Sequence, residues 1–132
     1  MIVVDTNVFS YLLIEGNRTK VCQNVLRKDP EWCVPFLWRS EFRNVLTKCM
    51  QHAGMTLEGA KSRMNEAEKL LGGSEYFVSS DVILSLTAIH PVSAYDAEFI
   101  ALASKLDTKL VTTDKPLQKK FPDITVSPEN FL

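Results

Sequence analysis

Short β-branched apolar runs alternate along the chain with stretches whose apolar residues recur at intervals of three and four, the pattern of strands separated by helices. Met1 to Val4 reads as a brief buried strand ending at Asp5, followed by a helix with Val8, Tyr11 and Leu12 on one face that closes near Gly16. A second helix fits residues 17–28. Trp32, Cys33 and Val34 form the next strand, and Pro35 is expected to open a helix running to about His52, with Phe42, Val45, Leu46 and Cys49 along one side. Gly54 ends it, and Thr56 is placed to cap another helix, whose Ala60, Met64, Ala67 and Leu71 repeat at helical spacing before Gly72 and Gly73.

The second half repeats the theme. Tyr76, Phe77 and Val78 read as a third strand, Asp81 to Ile89 as a helix, and Ser93 to about Leu106 as another. This last helix is apolar on most sides (Ala97, Phe99 to Ala103), so it should be buried, with Asp96 exposed at its N-terminal end. Lys109 to Thr112 reads as a central strand that stops just before Asp114, and Ile124 to Val126 as an edge strand. Five short strands with helices between them imply an α/β fold: one domain over residues 1–132, with a mostly parallel sheet covered by helices on both faces.

That architecture gives meaning to four acids. In doubly wound sheets ligands bind beyond the carboxyl ends of the strands, where the strand order reverses. Asp5 and Asp114 each lie just past a strand, while Glu41, about six residues into its helix, and Asp96, in the first turn of another, can be carried to the same crevice by right-handed crossovers. Each acid also has a local role open to it. Asp5 can cap the helix after it, Asp114 a turn before Pro116, Ser93 to Asp96 spells a capping box, and Glu41 can be a solvated helix residue. Taken together, the four matching placements favour a shared site for a divalent metal.

Composition narrows the picture further. With 132 residues, 45% hydrophobic and 23% charged, the chain suits a folded globular domain with a single core. No apolar run approaches the roughly 20 residues of a membrane span and no basic leader precedes Met1, so a cytoplasmic location is expected. Cys22, Cys33 and Cys49 have no metal-binding spacing and are expected to be reduced and partly buried; His52 and His90 stand apart from them and are not expected as ligands. The net charge of −1 gives no global basic footprint, but it is unevenly spread. Residues 1–66 hold nine Lys/Arg against seven Asp/Glu, and residues 67–132 hold six against nine, so the acidity gathers in the half with Asp96 and Asp114. A bound cation would offset it.

Four strings in this order, MIVVDTNVF, WRSEFRNVL, AYDAEFIALA and LVTTDKPL, resemble the motifs of the PIN-domain nucleases, and among them the VapC-type toxins of toxin–antitoxin pairs. The likeness spans nearly the whole chain and implies a three-layer α/β/α PIN-like domain. It implies Asp5, Glu41, Asp96 and Asp114 as catalytic metal ligands, supported by Asn7 and Thr112 through hydrogen bonds, with Asn7 orienting Asp5. An all-oxygen ligand set suits Mg²⁺ or Mn²⁺. The implied activity is that of an endoribonuclease hydrolysing RNA to leave a 3′-hydroxyl, and the implied partners are a second copy in a homodimer and a small antitoxin that blocks the acidic site. Glu98 stands about 200° round the helix from Asp96, so the two cannot face one cation directly.

RNA contacts follow from position alone. Arg39 and Arg43 flank Glu41, and Lys115, Lys119 and Lys120 follow Asp114, so both groups are candidates to hold phosphates; Tyr11, Trp32 and Trp38 are candidates to stack on bases. Two other acidic-pocket folds fit less well. A phosphoacceptor receiver domain needs adjacent acids after its first strand and an acceptor Asp after its third, where this chain has Val78, Ser79 and Ser80. A haloacid-dehalogenase-like phosphatase needs DxD where this chain reads DTN. A non-catalytic binding module on the same scaffold would have no need of all four acids.

Overall fold

The strands are short, and the central ones are buried because they lie between two helical layers, while the edge strands are only partly covered. In a computed structural model describing residues 1–132, the strands are β1 (Ile2–Val4), β2 (Trp32–Pro35), β3 (Glu75–Tyr76), β4 (Leu110–Val111) and β5 (Thr125–Val126), and all are parallel in the order β3-β2-β1-β4-β5. The helices are α1 (Thr6–Leu13), α2 (Thr19–Lys28), α3 (Trp38–His52), α4 (Leu57–Leu71), α5 (Ser80–Ile89), α6 (Ala94–Lys105), α7 (Lys115–Lys120) and α8 (Pro128–Phe131). None is long and apolar enough to cross a membrane.

Alternation along the strands divides the interior in two. Ile2, Val4, Trp32, Val34 and Val111 face one side and pack with Val8, Phe9, Trp38, Phe42 and Leu71 from α1, α3 and α4. Val3, Cys33 and Leu110 face the other, against Phe99, Ile100 and Leu102 of α6 with Leu117 and Phe121. The expected single core is thus two half-cores separated by one sheet, the α/β/α sandwich that the alternation demands. Helix α6 is buried from Phe99 to Ala103 because it lies across the sheet, packing on β1, β2 and β4. All three cysteines are free, two of them buried.

Strand order sets the place for a site. From β1 the chain runs outward to β2 and β3, and then returns to lay β4 and β5 on β1's other side, so the order reverses between β1 and β4. Asp5 follows β1 and Asp114 follows closely on β4. A receiver-type sheet has the order 2-1-3-4-5, which this topology excludes.

Several boundaries differ from expectation. Pro35 ends β2 rather than opening a helix: the Val34 and Phe36 amides point to β3, so the proline nitrogen faces β1, beyond the last paired residues Val3 and Cys33, where no donor is required. Helix α3 consequently starts at Trp38, and Glu41 falls in its first turn instead of six residues in, nearer the strand ends. It terminates through Gly54, whose φ of 71° suits a residue without a Cβ. The third strand is Glu75 and Tyr76 rather than Tyr76 to Val78, because Phe77 has already left the sheet edge and is 77% exposed. The short α7 and α8 were not expected as helices. Each begins with a capping side chain and a proline, Asp114 with Pro116 and Ser127 with Pro128, which start a turn too brief to show periodicity.

Candidate active site

Asp5, at the carboxyl end of the central strand, combines a structural and a chemical position. Its Oδ1 accepts the Thr6 amide at 2.8 Å, capping α1, and its Oδ2 accepts the Thr112 hydroxyl at 2.7 Å. The same Thr112 oxygen accepts the Asp114 amide at 3.1 Å, so one hydroxyl ties the ends of β1 and β4 together. Asp114 in turn caps α7, its Oδ1 accepting the Leu117 amide at 2.9 Å. On α6 the Ser93 hydroxyl accepts the Asp96 amide at 3.1 Å. The local capping roles open to Asp5 and Asp114 therefore coexist with a shared site: the cap engages only Oδ1 of Asp114, and the Asp5 carboxylate, though each of its oxygens accepts one hydrogen bond, keeps unused lone pairs.

The crevice is a cavity of about 450 Å³ lined by Asp5, Glu41, Asp96 and Asp114 together with Thr6, Asn7, Ser10, Tyr11, Asn44 and Val45. All four acids reach it. They stand apart across it, however: no three His, Cys, Asp or Glu side chains are gathered tightly enough to hold a metal ion as they stand. None of the four takes part in any of the ion pairs of the protein.

The electrostatics carry the same message. Burial pushes the Asp5 carboxyl up to about 6; the bonds from Thr112 and Thr6 oppose the rise, while the charges of Asp96 and Asp114 add to it. Burial also raises Glu41, opposed by Thr6 and reinforced by Asp5, Asp96 and Glu98. Asp96 is raised by burial and by Asp114, with Ser93 and Lys120 favouring its charged form. Asp96 is half-buried rather than exposed as expected, because α6 meets the sheet near its first turn. Glu98 is raised by burial and lines a separate groove with Phe36, Tyr76 and Phe77, in accord with its position on the helix. A partly desolvated cluster of oxygen donors, in a cavity that no Lys or Arg side chain lines, fits a hard divalent ion.

Some supporting residues differ from those expected. Thr112 bonds Asp5 as described. Asn7 does not orient Asp5: its Oδ1 accepts the Thr113 amide at 3.5 Å, so it steadies the segment leading to Asp114. Sequence reasoning missed Thr6, whose hydroxyl donates to Glu41 Oε1 at 2.7 Å and links α1 to α3. Its one signal was the middle position of the DTN string, which has no periodic or charge signature.

Arg39 is not a free phosphate contact. Its guanidinium makes two bonds to Glu75, Nε to Oε2 at 2.7 Å and Nη2 to Oε1 at 2.9 Å, and a third from Nη1 to Glu68 at 2.8 Å, clamping α3 to α4 and β3. Trp38 donates to the same Glu75 at 2.8 Å and packs edge-on against Phe9, so it belongs to the core; Trp32 is buried as well, its Nε1 donating to the Asp29 carbonyl. Neither tryptophan can stack on a base, since each ring is needed to fill the interior. Arg43 is exposed and Tyr11 stands partly exposed at the crevice wall. Lys115 is exposed too, but it lines a different, adjoining cavity. Lys120 donates to the Pro91 carbonyl at 2.7 Å.

The family profile of the PIN domain matches residues 2–121, a span that takes in all four acids. The chain belongs to the PIN domain family. It is 26% identical over 124 residues to Ribonuclease VapC3 of Pyrobaculum aerophilum, covering 92% of this chain and 95% of that protein. Among solved structures, a chain of FitAcB from Neisseria gonorrhoeae superposes with a TM-score of 0.72 at 18% identity, covering 98% of this chain and 99% of that one. A chain of a toxin-antitoxin complex from Klebsiella pneumoniae gives 0.70 at 17%, covering 97% and 98%. The architecture of this PIN domain is thus the three-layer α/β/α fold that its four strings implied.

Proposed function

We propose that this PIN domain protein is a divalent-metal-dependent endoribonuclease, acting as one nuclease domain over its 132 residues and serving as the toxin of a toxin–antitoxin pair. The observation that supports this most is the convergence of Asp5, Glu41, Asp96 and Asp114 on one cavity at the strand-order switch point, with no Lys or Arg side chain lining it. The family match and the likeness to a protein named as a ribonuclease favour the same reading.

The four carboxylates would hold Mg²⁺ or Mn²⁺, which when bound supplies a polarised phosphoryl oxygen, an acidified water and neutralised charge on the departing oxygen. The protein's own contributions follow from its bonds. Thr112 and the Thr6 amide fix both oxygens of Asp5, and Thr6 also sets the rotamer of Glu41, so these two ligands are aimed before substrate arrives. Ser93 and the α6 cap hold Asp96 in place, and Asn7 braces the approach to Asp114. With Asp5 raised to about 6, the carboxyl is largely ionised near neutral pH and becomes protonated in mild acid, so binding of the cation and cleavage should both fall below that range. The RNA product would end in a 3′-hydroxyl. A small antitoxin would block the acidic cavity, and the toxin would work as a homodimer.

The deciding experiment is cleavage of a mixed structured RNA pool with Mn²⁺, with Mg²⁺ and with EDTA, beside Asp96→Asn, which keeps size and removes charge. Metal-dependent cutting abolished by the substitution is the expected result. A folded protein that binds metal and cuts nothing in the pool would favour a non-catalytic binding role, and one that binds no metal would remove the premise.

A further inference from the structure

Beside the acidic cavity lies a second one, of about 350 Å³, lined by Arg18, Thr113, Lys115, Gln118, Ser127 and Glu129 and by no apolar side chain. The two share a ridge. The Arg18 guanidinium lies over the Tyr11 ring, 5.6 Å from its centroid, and Tyr11 lines the acidic cavity. Thr113, whose amide is held by Asn7, immediately precedes Asp114, so this wall of the second cavity is the back of the first.

Arg18 is incompletely used. Its Nη2 donates to Glu129 Oε1 at 2.6 Å, while its Nε is buried with no hydrogen-bond partner. A guanidinium presents a fork of donors that matches a phosphate on two prongs, and here a carboxylate holds one prong and leaves a second idle. Glu129 sits on the short C-terminal α8 and is about half exposed, which makes the pair weak and displaceable. Lys115, across the cavity, is in no ion pair at all.

We infer that this cavity is a phosphate subsite for an RNA strand whose scissile bond lies in the acidic cavity, with Glu129 standing in for the phosphate until the strand displaces it. The inference rests on the nuclease reading and adds the route of the strand, over the Tyr11 and Arg18 side of the crevice and away from Arg39. An acidic peptide is a poorer occupant, because it would need apolar anchors beside its carboxylates and the cavity offers none.

The test is fluorescence anisotropy of an end-labelled single-stranded RNA, in an Asp96→Asn background so that the strand remains whole, across a salt series. Arg18→Gln should weaken binding about tenfold and reduce the slope of log affinity against log salt by about 0.7, the loss of one phosphate contact. Glu129→Gln, which removes the competitor, should tighten binding about threefold. General surface charge predicts the same two signs, so Arg18→Lys, which keeps the charge and loses the fork, separates the two: it should lose most of the affinity that Arg18→Gln loses, and parent-like binding by it would reduce the effect to surface charge; Glu129→Gln keeps the test alive if Arg18→Gln folds poorly. Parent-like affinity and slope in both Arg18→Gln and Glu129→Gln would overturn the subsite alone. No RNA binding by the parent at low salt would overturn the nuclease reading together with it.

Discussion

Replacing Asp5 by Asn should make the metal-free protein more stable at pH 7 while removing its activity. Asp5 is 9% exposed and its carboxyl is raised from the ordinary 3.8 to about 6 by burial, with like charges from Asp96 and Asp114 adding to it. Because the folded value is the higher one, this group favours the fold below pH 3.8, where it is neutral in both states, and that advantage is lost as pH rises through about 6. Relative to the neutral form, the difference costs the ionised protein ~3 kcal/mol at pH 7. Asn would not recover all of it. Its oxygen can keep the Thr6 amide, but its NH₂ would meet the Thr112 hydroxyl, which already accepts the Asp114 amide and would lose its own acceptor, at a cost of ~1 kcal/mol. The net gain of ~2 kcal/mol corresponds to a rise in melting temperature of roughly 6–8 °C for a domain of this size. Thermal unfolding in EDTA, followed by circular dichroism from pH 4 to pH 8, reads it directly. The gap between Asp5→Asn and the parent should be nearly closed at pH 4, open as pH rises to about 6 and hold constant above that. Equal melting temperatures across that range, or a variant less stable at pH 7, would refute the claim that Asp5 bears a buried, uncompensated charge.

Three further outcomes follow from the same geometry. Millimolar Mg²⁺ or Mn²⁺ should raise the parent's melting temperature by several degrees, about 1–2 kcal/mol for a cation present at tenfold or more over its Kd, and should raise that of Asp5→Asn less; indifference of the parent to both ions would count against the site. Arg39→Ala should cost roughly 2 kcal/mol in urea unfolding, because the Glu75 carboxylate, 8% exposed, is left with Trp38 alone, yet RNA affinity should hold. A loss of RNA binding in that folded variant would restore Arg39 as a contact. Thr6→Val takes the 2.7 Å donor from Glu41 and should lower cleavage about tenfold with little loss of stability, seen as a fall in kcat or in metal affinity; unchanged kinetics would show that Glu41 needs no such anchor.

The sequence carried what is local and periodic. The run from Ile2 to Val4, the apolar faces of α3 and α4 and the nearly all-round apolarity of α6 are properties of neighbouring residues, and they are legible from spacing alone as strand, surface helices and buried helix. The four acids were legible for a related reason: Asp5 and Asp114 follow strand carboxyl ends and Glu41 and Asp96 stand early in helices, and in a parallel sheet those places lie on one rim. What the sequence could not hold were pairings between segments far apart in the chain. Arg39 beside Glu41 looks like a phosphate contact until β3 brings Glu75, 36 residues on, into its fork. Thr6 looks like part of a motif until α3 places Glu41 against it, and Arg18 is an unremarkable loop cation until α8 supplies Glu129, 111 residues later. Hydrophobic periodicity decides which face of an element is buried, since that depends on spacing within the element; which charge meets which is decided only when the sheet order reverses between β1 and β4 and folds distant side chains into the same few ångströms.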